Sequence, residues 1–245
     1  PTPTKSHYTF NLRDLSKVFQ GVLSIEYDFL NNKETLVSLW VHEAQRIFYD
    51  RLVDEKDRTW FLNVMQGFLQ NNFQIEWDTN YIREIVFGDF TNSQGKYQKV
   101  DDLDSLPKKL QDFMLKHNSE YPGKTMNLVF FKDAILHLSR IARILKQNRG
   151  NALLIGVGGS GRQSLTRLGA SIRDYKIFTI EITKNYKDPQ WKDDLKSLIK
   201  TAGKNEPVTF LFSDTQIVKE SFLEDLNNIL NTGEVPNIWG PEDYE

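Results

Sequence analysis

Apolar residues return at intervals of three and four through the first third of the chain. Over residues 11–27, Leu12, Leu15, Val18, Phe19 and Val22 fall on one helical face, and Asn11 stands where a cap belongs. Leu36, Leu39, Trp40, Ala44, Ile47 and Phe48 mark a second helix, and Trp60, Phe61, Val64, Met65, Phe68 and Leu69 a third. No convergent polar site accompanies these aromatic stripes, which therefore predict the core of a small helical bundle. His42 and Glu43 lie within the second helix without metal-ligand spacing and are read as structural.

The periodicity weakens over residues 84–126, a connector containing Phe87-Gly88-Asp89-Phe90, the polar run TNSQGK, an acidic DDLD and a helix beginning after Pro107. Its charge runs read as solvated faces. From Asn127 onward the pattern changes again. A helix over residues 132–147 carries Ala134, Ile135, Leu138, Ile141, Ala142 and Leu145 on one side, with Gly150 following as cap or turn. A strand is expected just before the glycines that begin at Gly156, and a helix after Gly161. Then come a strand at 176–182, a helix near 190–201 ended by Gly203, and an apolar strand from Pro207 to Asp214. Alternating strands and helices imply an α/β fold with a parallel sheet and ligands at the carboxyl ends of its strands. The expected division is thus a helical part at 1–83, the connector at 84–126 and the α/β core at 127–245.

The chemistry concentrates in NALLIGVGGSGRQSL, where a strand-type run enters a glycine-rich loop and then a helical pattern. Gly156, Gly158, Gly159, Ser160, Gly161, Arg162, Gln163 and Ser164 sit close to the P-loop pattern G-x-x-x-x-G-K-[ST]. Such glycines let successive backbone N–H groups turn onto phosphate oxygens, and the helix beginning near Gly161 adds its positive end. Arg162 replaces the lysine; it can neutralise phosphate but is not the same point charge. Gln163 stands at the magnesium-binding hydroxyl position, with Ser164 one place later, which puts metal coordination in question. The bland alternative is a glycine-rich strand-to-helix turn without a ligand.

About fifty residues on, PVTFLFSDTQ ends an apolar strand in Asp214, a carboxylate placed to hold magnesium, often through water. Asp214 reads equally well as the start of the turn into the helix from Ile217. Thr215 comes next, and a threonine has no basicity with which to activate water at neutral pH. The pair therefore reads as a site built to hold nucleotide rather than turn it over.

These motifs resemble one family, the axonemal dynein heavy chains, at the fourth AAA+ module of the motor ring. The resemblance is carried by GNALLIGVGGSGRQSLTRL, FLFSDTQI and ESFLEDLNNILNTGEVPN; HYTFNLRDLSKVFQGVL and LVSLWVHEAQRIFYDRL are similar to the helical lid of the third module. It implies a P-loop NTPase (AAA+) parallel-sheet core, incomplete here, preceded by a helical lid, in a piece of a larger polypeptide. It further implies ATP or ADP with Mg2+ held by Asp214 and Ser164, and an adenine-side segment at Leu128 and Val129, whose simpler reading is apolar packing under the sheet. Arg13 matches a lid arginine that reaches toward nucleotide on the preceding module; a solvated or salt-bridged helix residue is the alternative. Neighbouring AAA+ modules, microtubules and dynein intermediate and light chains are the implied partners, and the axoneme of cilia and flagella the implied location.

Composition narrows the picture further. A formal net charge of −2 gives no general electrostatic reason to bind nucleic acid or an anionic membrane. Zero cysteines exclude disulfides, and no apolar run approaches the ~20 residues that span a bilayer, so a soluble, intracellular chain is expected. Two rival functions stay open: an active P-loop ATPase using another carboxylate, such as Glu181, as base, and a ring scaffold whose loop holds no ligand.

Overall fold

The computed structural model describes residues 2–90, 95–204 and 206–243. Residues 91–94, most of the expected polar run of the connector, lie outside the described residues. The chain forms two compact units, 1–109 and 110–245.

In the first unit, α1 (Leu12–Val22) begins on a reciprocal cap. Asn11 Oδ1 accepts from the N–H groups of Arg13 at 2.9 Å and Asp14 at 3.3 Å, while Asp14 Oδ2 accepts from Asn11 N–H at 3.0 Å. The Asp14 carboxylate is buried and ion-paired with Arg51. Asn32 caps α2 (Lys33–Ile47) by accepting from Thr35 N–H at 2.8 Å. Next come α3 (Glu55–Phe73), α4 (Thr79–Glu84) and a short hairpin, β1 (Phe87–Gly88) paired antiparallel with β2 (Gln98–Lys99). Leu39, Val41, Leu69, Ile82 and Phe87 make the driest part of the core.

A polar seam ties the hairpin into this core. His42 Nδ1 lies 2.9 Å from the Ile85 carbonyl, Gln45 Nε2 donates to the Ile82 carbonyl at 2.6 Å, and the Tyr97 hydroxyl donates to Glu43 Oε1 at 2.6 Å. The Glu43 carboxylate also fills the space above Gly21 of α1, where a Cβ would collide with Oε2. His42 and Glu43 are therefore structural. The connector is not a separate body: residues 84–109 fold with the first unit and 110–126 with the second.

The predicted stripes are only half buried. On α1, Val18 is 2% exposed, whereas Leu12 is 83%, Phe19 58% and Leu15 47% exposed. On α3, Met65 and Leu69 point inward while Trp60, Val64 and Phe68 face out. The reason is geometric: an apolar arc wider than about 100° exceeds what one neighbouring helix covers, so only the edge facing the partner is buried.

The second unit contains α5 (Leu106–Glu120, which begins just before the division), α6 (Lys132–Lys146), α7 (Arg162–Ile172), β3 (Lys176–Phe178), α8 (Asp188–Gly203), β4 (Val208–Phe210) and α9 (Ser221–Asn231). α6 and α7 approach closely at Gly169, where a Cβ would lie 3.1 Å from Ile141 Cγ2 and 3.7 Å from Leu138 Cδ1. β3 and β4 are parallel in the register Lys176↔Val208, Ile177↔Thr209, Phe178↔Phe210, as the alternating pattern predicts. The strand expected at 176–182 is shorter because only 176–178 finds a hydrogen-bonding partner opposite. Around this pair Trp191 stacks on Phe222 with centroids 4.2 Å apart and donates from Nε1 to Asp225 Oδ2 at 2.8 Å.

One expected element is absent. The run entering the glycine loop is not a strand, and Leu153 and Ile155 are 85% and 86% exposed. A strand exists only by pairing, and among the described residues none pairs with this run. The described part of the core is accordingly a small parallel sheet with helices, and no described helix is long and apolar enough to cross a membrane.

Two ionisable groups make stability pH-dependent. Burial pushes the Asp14 carboxyl up, but Arg51 and the capping N–H outweigh it and hold it below its ordinary 3.8. Burial pushes the His117 imidazole, on α5 beside Tyr121, below its ordinary 6.5. A depressed folded pKa means that the unfolded chain binds protons first, so both contributions are intact at high pH. The second unit should then lose melting temperature as pH falls below 6.5, a slope that thermal scans should find diminished in His117→Gln. Asp14→Ala, which removes a reciprocal cap and a buried ion-pair partner, should destabilise the first unit by ~1–3 kcal/mol at pH 7 in urea titrations. The loss should shrink as pH falls through the native Asp14 pKa.

Candidate nucleotide site

The site is built where α7 begins. Gly159 and Gly161 both adopt φ 76°, the left-handed region that favours glycine, and Gly161 is the N-terminal cap of the helix. No side chain caps α7, so the N–H groups of its first turn face outward without a side-chain acceptor. At Gly156 a Cβ would stand 3.3 Å from Ser160 Oγ and 3.5 Å from Arg162 Cδ, so the loop closes tightly on itself.

Arg162 folds back over the loop. Its Nη1 donates to the Leu154 carbonyl at 3.4 Å and its Nη2 to the Val157 carbonyl at 3.2 Å. The guanidinium thus covers the loop's acceptors and places a positive charge beside the helix's positive end. Oriented N–H groups, a helix N-terminus and a fixed cation together favour an anion such as phosphate. Ser160 and Gln163 are exposed and Ser164 is half-buried, whereas Gly158 has open space around it.

Leu128 is brought to this loop, its Cδ2 3.9 Å from where a Gly161 Cβ would stand, and its N–H faces Met114 Sδ at 3.3 Å. Val129 is 79% exposed, so packing under the sheet does not account for it.

The second motif lies beyond β4. Asp214 opens a single 3-10 turn, Asp214–Gln216, and its Oδ1 accepts from Thr215 N–H at 3.0 Å. The carboxylate is exposed and makes no ion pair with a described residue, so no described cation competes for it. Thr215 Oγ1 lies 2.9 Å from Ser213 Oγ, a local contact that supplies no base. Sequence reasoning passed over Gln216, which accepts from Ser213 N–H at 2.6 Å and donates to the carbonyl of Ile180, just past β3. The S-x-x-Q spacing of residues 213–216 is the signal that points to it. Glu181, the alternative base, is exposed beside Ile180, and Arg13 is exposed on the first turn of α1, where its backbone N–H donates to Asn11 Oδ1 at 2.9 Å.

Comparison with known proteins gives this geometry a lineage. Residues 126–245 match the P-loop containing dynein motor region D4, and residues 1–80 match an AAA+ lid domain. The whole chain is 46% identical over 248 residues to human dynein axonemal heavy chain 2 and 45% over 250 residues to mouse dynein axonemal heavy chain 1. It is 46% identical over 256 residues, 99% of its length, to the dynein-1-beta heavy chain of the flagellar inner arm I1 complex of Chlamydomonas reinhardtii. The chain spans 6% of the length of each of these relatives. A lid match at residues 1–80 is followed by the dynein motor-region match at 126–245, with the full chain similar to axonemal dynein heavy chains, and the chain belongs to that family.

Proposed function

We propose that this chain is a regulatory nucleotide-holding segment of an axonemal dynein heavy chain, joining the lid of the third AAA+ module to the nucleotide core of the fourth. The carrying observation is the pairing of a phosphate-ready loop with an acid turn that lacks a base. Gly159, Gly161 and Arg162 are set for an anion, while Asp214 is followed by Thr215. Gly156, Gly158, Gly159, Ser160, Gly161, Arg162, Gln163 and Ser164 would surround the phosphates of ATP or ADP, with Leu128 and Val129 on the adenine side. Magnesium usually takes one or two protein oxygens and completes its shell with phosphate and water. The exposed Asp214 carboxylate, with the Ser164 hydroxyl, suits that role, and Mg2+ would there neutralise the phosphates. Arg13 would reach toward nucleotide on the preceding module.

In the parent protein, hydrolysis elsewhere in the ring would drive minus-end-directed movement on microtubules. Nucleotide held here would stiffen the ring and bias its communication with the microtubule-binding stalk. Neighbouring modules, microtubules and intermediate and light chains are the partners of this reading, in the axoneme and not on nucleic acid or membrane.

Nucleotide released by denaturation after incubation with ATP and magnesium should be predominantly ATP, identified chromatographically. Steady turnover at ~1 per second or faster, abolished by Glu181→Gln or Asp214→Ala, would make the site an active ATPase instead. An empty loop at millimolar nucleotide would leave only a scaffold. Arg162→Ala should weaken ATP binding about tenfold, ~1.4 kcal/mol, with Arg162→Lys milder, since one charge-assisted phosphate contact is lost. Gly161→Val should cost more, because a β-branched residue at positive φ strains the loop itself.

A further inference from the structure

The turn that presents Asp214 is held from one side chain. Gln216 Oε1 accepts from Ser213 N–H at 2.6 Å and from Ser213 Oγ at 3.1 Å, while its Nε2 donates to the Ile180 carbonyl. Ile180 lies two residues beyond β3 and is 4% exposed within the Trp191–Phe222 core, so that carbonyl is a rigid anchor. Ser213 lies three residues beyond β4. One amide therefore laces the carboxyl ends of two parallel strands together after their ladder has ended. It does so at the residue before Asp214.

The Asp214 carboxylate does not share in the lacing. It accepts from the N–H of Thr215 and otherwise faces solvent. A metal ligand is most useful when its own oxygens stay open while its backbone is fixed by neighbours, which is what this arrangement supplies. An isolated 3-10 turn of three residues has little rigidity of its own. Gln216 supplies what the turn lacks.

We propose that Gln216 is a positioning residue for magnesium at this site: by tying residues 213–216 to Ile180 it fixes where Asp214 can meet a nucleotide-bound cation. The proposal rests on the nucleotide-holding reading of this site. It assigns Gln216 no contact with nucleotide, so its loss acts on the magnesium-dependent part of binding and leaves the magnesium-independent part unchanged.

The test uses the full-length heavy chain that carries this sequence, photolabelled with 8-azido-ATP across a concentration series. Labelling is read by mass spectrometry on the peptides of this site, once with magnesium and once with EDTA. The unaltered protein should label at lower concentration with magnesium, and Asp214→Ala should remove that advantage. Gln216→Met, similar in length but unable to make either hydrogen bond, should reduce the magnesium advantage about tenfold, the scale of losing a partner that orients a metal ligand, with EDTA labelling unchanged. Gln216→Glu keeps the acceptor for Ser213 and loses the donor to Ile180; it should also reduce the advantage, and it stands in if Gln216→Met does not fold. An unchanged magnesium advantage in a folded Gln216 variant overturns the positioning role while leaving the nucleotide site intact. Equal loss with and without magnesium makes Gln216 merely structural and overturns it as well. If the unaltered protein shows no labelling here, or none that magnesium or Asp214→Ala changes, the underlying reading fails and takes this inference with it.

Discussion

The phosphate-facing half of the candidate site depends on how closely α7 is allowed to approach α6. The loop's N–H groups can face a phosphate only if the helix they open onto is fixed in direction, and that direction is set by packing at Gly169. There the absence of a Cβ lets Ile141 and Leu138 close on the backbone of α7. A larger side chain would push the two helices apart, and the start of α7 would move with them. The left-handed turns at Gly159 and Gly161 then translate a fixed helix into a fixed loop.

The other half of the site hangs on a different support. β3 and β4 pair over only three residues each, too little to align the loops that leave them. The Trp191–Phe222 stack beneath and the Gln216 bridge above carry the alignment past the last ladder hydrogen bond. The site therefore has an electrostatic side, built from backbone dipoles and Arg162, and an acid side, built from a strand end. On the proposed reading, phosphate would use the first and magnesium the second, and the lack of a base at Thr215 is why holding rather than turnover is proposed.

The first unit solves a separate problem with the same economy. Its α2 carries four polar residues into the interior, and each is used: Ser38 donates to the Thr35 carbonyl, His42 and Gln45 meet the carbonyls of Ile85 and Ile82, and Glu43 meets Tyr97. The carbonyls at the end of α4 thereby gain side-chain donors from α2. The wide apolar arcs of α1 and α3 are left half open, with Leu12, Phe19, Trp60 and Val64 in solvent.

The local features were legible in the residues. The Asn11 cap, the helices and the glycine turn are set by interactions within a few positions of one another: capping, 3.6-residue periodicity and the dihedral freedom of glycine; the strand expected to run to Asp214 instead ends at Phe210, leaving the acid on a turn four residues beyond. The resemblance to the dynein family rested on the same local motifs. Choices that need a distant partner were beyond the sequence. Apolar spacing made residues 151–155 strand-like, but pairing decides whether a strand exists, and among the described residues none was found for Leu153 and Ile155. Stripes on α1 and α3 announced burial, yet only neighbouring helices decide which edge is covered. The link from Gln216 to Ile180 spans 36 residues of chain, and the closeness of Gly169 to Ile141 depends on how two helices cross. Local chemistry is written in short spacings; burial, pairing and the bracing of Asp214 are properties of contacts that only the folded chain creates.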